Sequence, residues 1–195
     1  MTFGQTDRMA DTSRRTYLLV DGENIDATLG GNILNQRPAP EDRPRWDRVR
    51  GFVEEEYGQP VTALFFVNAS SGTLPMPFMQ ALMAMDFTPV PLSGPQEVKV
   101  VDVGIQRTLE ALADRPGDVV LASHDADFLP QLTPLVGERR VALLAFHEFV
   151  SSQYSDLIAA GLEVFDLEHD AGSFTHRLPR LRIISLDEFD PTAFL

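Results

Sequence analysis

The sequence predicts an α/β domain, a three-layer α/β/α sandwich around a mostly parallel central sheet. Three observations point there. The apolar runs "TYLLV" (16–20), "VVLAS" (119–123) and "RVALLAF" (140–146) are nearly continuous, as strands covered on both faces are. Stretches with helical apolar spacing alternate with them. The length, 195 residues with 44% hydrophobic and 23% charged, suits one well-buried domain.

Taken in order, residues 1–15 are polar and of mixed charge, a flexible leader without the apolar core of a signal peptide. The first strand (16–20) runs into "DGENID", and "GGNILNQRPAPEDRP" (30–44) reads as a loop. In "WDRVRGFVEEEY" (46–57), Trp46, Val49, Phe52 and Val53 share one helical face. "VTALFFV" (61–67) is a strand dense in β-formers, followed by a turn and a helix over about 76–85. The prolines of "FTPVPL" (87–92) suit an edge strand. Residues 101–114 read as a helix, 119–123 as strand, 127–137 as helix, 140–146 as strand, 151–161 as helix and 162–167 as strand. The domain is expected over 16–168. Residues 169–195 form a C-terminal extension, with "LRIISL" (181–186) as a possible added strand, packing on the domain or on a partner subunit in a homodimer.

Carboxylates stand where apolar segments end. Ligands of open parallel sheets sit at the carboxyl ends of the strands. Asp21 closes the first strand, Asp125 and Asp127 follow the strand at 119–123, and Asp102 opens a helix compatible with the same rim. Converging carboxylates repel unless cations neutralise them. With no cysteine and no helical His pair, such a cluster favours Mg²⁺ or Mn²⁺. That is an arrangement for metal-assisted phosphodiester hydrolysis. Each residue also has a plainer reading: Asp127 as a helix cap, Asp102 as a first-turn acid, Asn24 as a turn residue.

Three blocks, "LLVDGENI" (18–25), "KVVDVGIQRTLEAL" (99–112) and "LASHDADFLPQLTPL" (121–135), resemble the motifs of NYN domains, which are PIN-like metal-dependent nucleases. The resemblance spans about 16–168 and implies a PIN-like fold with an acidic pocket for Mg²⁺ or Mn²⁺. It matches Asp21, Asn24, Asp102, Asp125 and Asp127 to the family's catalytic set, with the four aspartates as metal ligands. Ser123 matches a serine whose hydroxyl could hold a carboxylate or face substrate. His124 stands where the family usually has glycine and is given no catalytic role.

The resemblance implies a ribonuclease, in expectation an endonuclease; the alternative is a catalytically silent RNA-binding or regulatory module, and without a signal peptide or membrane span a cytoplasmic location is expected. A phosphatase with an aspartyl nucleophile on the first strand would need an acidic partner two positions on, and Glu23 is not the matching Asp. The formal charge of −13 excludes holding RNA by bulk positive charge. Local candidates remain. Lys99 could meet a phosphate. Arg45 and Arg48 lie among arginines around Trp46, whose ring could stack a base or belong to the core. "HRLPRLR" (176–182) is a second basic stretch. No run approaches the roughly 20 apolar residues that cross a bilayer.

Overall fold

The computed structural model describes residues 14–180, 184 and 186–194. Most of the expected leader and most of the possible strand at 181–186 lie outside them. Six strands form one sheet: β1 (Thr16–Asp21), β2 (Val61–Asn68), β3 (Phe87–Leu92), β4 (Asp118–Ala122), β5 (Val141–Ala145) and β6 (Glu163–Asp166). Their spatial order is β3-β2-β1-β4-β5-β6, and every pairing is parallel. β4 and β5 are buried at every position, which is why their sequences are unbroken apolar runs. β3, with its two prolines, is an edge strand as expected.

Alternate residues of each strand feed two cores. Leu18, Val20 and Phe65 face α2 (Trp46–Tyr57) and α3 (Met76–Ala84). Leu19, Phe66 and Leu121 face α4 (Val100–Ala113), α5 (Leu129–Leu132) and α6 (Ser155–Ala159). Leu18, Leu19 and Leu121 are fully buried; side chains of this size each contribute about 1.5–3 kcal/mol. Chain connections leave β1 toward one face and β4 toward the other. The crevice between the carboxyl ends of β1 and β4 is therefore the topological switch point of the sheet.

The loop expected after the first strand begins as helix instead. α1 (Gly22–Thr28) runs on through a π-helical turn (Leu29–Leu34) and stops at Asn35, whose φ of 53° is left-handed. Ile25, Leu29 and Ile33, four residues apart, are buried in the core. That burial outweighs the cost of Gly30 and Gly31, about 1 kcal/mol each relative to alanine. The helix expected over 127–137 is shorter than its pattern suggested: a 3₁₀ turn (Ala126–Phe128) leads into the single turn of α5.

Residues 169–180 pack on the domain. Leu178 joins the core, and Ser173 is fully buried with its carbonyl accepting the Arg45 N–H at 2.7 Å. Arg180 ends this segment in a nest of three carboxylates, pairing with Asp166 at 2.6 Å, Glu168 at 3.0 Å, and Glu148. Its guanidinium also lies 4.8 Å from the Phe146 ring centre.

Candidate active site

The site grows from three local features at the switch point. Asp21 ends β1 and caps α1: its Oδ1 accepts the Asn24 N–H at 3.1 Å. Asp125 follows β4 and caps the next turn, its Oδ1 accepting the Asp127 N–H at 3.0 Å. Asp102 lies in the first turn of α4. Gly104 brings α4 close to the sheet, since a Cβ there would sit 2.2 Å from Leu92 Cδ1. Capping and site-building are the same geometry here. A cap fixes one carboxylate oxygen and so orients the other.

Ser123, fully buried, joins the two strand ends. Its hydroxyl donates to Asp21 Oδ2 at 3.1 Å and accepts the Asp125 N–H at 3.2 Å. It therefore ties the Asp21 carboxylate to the Asp125 backbone from a fully buried position. Tyr154 Oη donates to the Asp125 carbonyl at 2.5 Å and fixes the loop from behind.

Oxygens of Asp102, Asp125 and Asp127 lie within 4.8 Å of one another. Asp21 stands apart from this triad, only 2% exposed, but lines the same pocket as Asp102, Asp125 and Asn24. Burial pushes its carboxyl up to about 6, partly opposed by the Asn24 N–H and raised further by the charge of Asp102. Lys99 answers the triad: its Nζ lies 3.3 Å from Asp102 and 3.7 Å from Asp127. The contact with Asp102 raises the lysine's own pKa.

Asn24 and His124 form the other wall. Asn24 Oδ1 accepts both the backbone N–H of His124 at 2.8 Å and, at 3.0 Å, its ring Nδ1. His124 Nε2 accepts the Phe146 N–H at 2.8 Å, so the ring proton resides on Nδ1. Burial lowers this histidine to about 4. The His124 ring is 7% exposed and stacked on Phe146, so it does not face substrate.

The remaining expected residues lie elsewhere. Arg45 pairs with Asp47 at 3.4 Å, and Arg48 donates to the Gly172 and Phe174 carbonyls at 3.2 and 3.1 Å. Neither lines the acidic pocket. Trp46 belongs to the core, 4% exposed and edge-on to Phe65. In the stretch 176–182, Arg180 is sequestered by its carboxylates, and Arg182 lies outside the described residues. Asn68 and Glu97 line the pocket without having been singled out from sequence, as does Glu23, which was weighed only against a phosphatase pattern. Asn68 had a readable signal, since it is the last residue of β2 at the same sheet edge.

The fold is thus a parallel α/β/α sandwich with carboxylate oxygens gathered at its switch point. The chain belongs to the NYN domain family, whose model matches residues 15–168; this is a PIN-like nuclease family. No curated protein matches the chain. Among solved structures it is similar to a protein of unknown function from Vibrio parahaemolyticus, at 19% identity and a TM-score of 0.65, over 83% of this chain and 97% of that one. That likeness is one of fold. YcaC from Pseudomonas aeruginosa overlaps 88% of this chain and 85% of its own at 10% identity, with a TM-score of only 0.36. No helix among the described residues is long and apolar enough to cross a membrane.

Proposed function

We propose that this protein is a divalent-metal-dependent ribonuclease that hydrolyses RNA phosphodiester bonds, most simply as an endonuclease. The observation that carries this reading is the triad of Asp102, Asp125 and Asp127, with carboxylate oxygens within 4.8 Å. All its donors are hard oxygens, which fits Mg²⁺ or Mn²⁺ and not a thiolate- or imidazole-preferring ion. The Lys99 ammonium already marks the place between Asp102 and Asp127 where positive charge is favoured.

In this reading Asp102, Asp125 and Asp127 would hold the ion, which would supply Lewis-acid polarisation of the phosphoryl group and activation of water. Asp21 adds negative charge from behind, held by Ser123 and the cap at Asn24. Asn24 lines the pocket with its oxygen committed to His124, which leaves its amide N–H groups as the donors it would offer a phosphate oxygen. Lys99, 71% exposed beside Asp102 and Asp127, is the cation that would meet the substrate backbone once a metal ion took its place at the carboxylates.

The test is a panel of labelled RNAs and DNAs incubated with Mg²⁺, Mn²⁺ or EDTA. Cutting of RNA with either ion, and none with EDTA, is the expected result. A folded protein that cuts nothing with either ion would reduce the chain to a binding module.

A further inference from the structure

A second cavity, of about 650 Å³, opens beside the acidic pocket and shares Glu23 with it. Its apolar walls come from the half-buried Phe78 and, behind it, from Trp46 and Phe65, each 4% exposed, with Phe65 edge-on to both neighbours at ring-centre distances of 5.1 and 5.4 Å. Gly22 is required at its back, where a Cβ would meet the Phe65 ring at 2.5 Å. The polar lining is of both signs. Glu23 and Asp26 project from α1, while Arg37 and Arg43 come from the connection that follows. Arg43 is held by Asp26 at 2.8 Å. Arg37 is exposed, with no ion pair among the described residues.

We propose that this cavity receives an unpaired base of the RNA strand whose phosphate is engaged at the carboxylates. The inference rests on the ribonuclease reading and adds to it a site for the base. Apolar rings beside both acceptors and cations suit a flat heteroaromatic carrying N–H donors on a phosphate backbone. An acyl chain or aliphatic peptide side chain would leave the exposed Arg37 unused. Arg37 is placed to meet a neighbouring phosphate, and the shared Glu23 wall keeps base and phosphate sites contiguous.

Trp46 is the single tryptophan of the chain, so its emission reports directly on the cavity. The full-length Asp125→Asn variant, which prevents turnover, would be titrated with a short single-stranded RNA and with the same strand made abasic. Binding would be followed by anisotropy of an end label and by Trp46 emission together. The base-bearing strand is expected to change the emission and to bind about tenfold more tightly than the abasic one. Phe78→Ala, and separately the exposed Arg37→Ala, placed in that variant should weaken the base-bearing strand; only Arg37→Ala should also weaken the abasic strand. Equal binding of both strands, or emission unchanged at saturation, overturns the proposal while wild-type cleavage of RNA leaves the nuclease reading standing. If neither strand binds and wild type cuts nothing, the nuclease reading fails and this proposal with it.

Discussion

Asn24 Oδ1 accepts two hydrogen bonds from one residue, His124, through its backbone N–H and its ring Nδ1. The ring is itself fixed by the Phe146 N–H. His124 thus orients an amide of the site from behind. His124→Phe keeps the stacking on Phe146 but removes both ring nitrogens. It should cost about 1–3 kcal/mol by leaving the Phe146 N–H unpaired. With Asn24 held by one bond, kcat should fall about tenfold with a smaller change in KM. Denaturation and steady-state cleavage check the two effects, and an unchanged kcat would reduce His124 to a packing residue.

In metal-free protein the same corner carries two opposed pH dependences. Asp21, raised to about 6, contributes stability that is fully present below its ordinary value near 3.8 and is lost as pH rises through about 6. His124, lowered to about 4, contributes stability that is present above its ordinary 6.5 and is lost as pH falls toward about 4. Each amounts to about 3 kcal/mol, and between pH 4 and 6.5 they nearly cancel. Urea denaturation in EDTA should separate them. Relative to wild type, Asp21→Asn should lose stability as pH is lowered through this window, and His124→Phe as pH is raised. Parallel curves for all three proteins would contradict the assignment.

Lys99 competes with a metal ion for Asp102 and Asp127. Lys99→Met should tighten Mn²⁺ binding by roughly threefold to tenfold at low salt, a modest effect because the side chain is 71% exposed. The same variant should cut RNA more slowly. Calorimetric titration with Mn²⁺ measures the first effect, and weaker binding would argue against the ammonium as a stand-in for the ion.

Arg180 is 3% exposed among Asp166, Glu148 and Glu168. Burial raises the Asp166 carboxyl, but the Arg180 contact and the His147 and His169 N–H groups outweigh it and hold it well below the usual range. Arg180→Met leaves buried carboxylates without their cation and should cost about 3–5 kcal/mol. Amide exchange over 166–180 should accelerate most. Protection retained there would mean that Leu178 and Ser173, and not the ion pairs, hold the segment.

What was legible in the sequence follows from locality. The parallel strands could be read because burial on both faces makes each a continuous apolar run, Asp21 and Asp125 because they sit where such runs end, and Asp102 because it opens a helix with regular apolar spacing. The helical continuation through Leu29 and Ile33 was hidden by glycine and asparagine, although the spacing of four from Ile25 was present. Arg48 and Arg180 looked like free cations because their partners at Gly172, Phe174, Glu148 and Asp166 are brought near only by folding. The fixation of His124 by Phe146 is of the same kind, a bond between neighbouring strand ends 22 residues apart.

The most direct test is single-turnover cleavage of a labelled RNA by wild type, Asp125→Asn and Asp102→Asn, side by side at saturating Mn²⁺. If the triad holds the ion that drives hydrolysis, each substitution should slow cleavage by at least about 100-fold, with the fold intact by circular dichroism. Cleavage at the wild-type rate by either folded variant would contradict the account and place the chemistry elsewhere on the molecule.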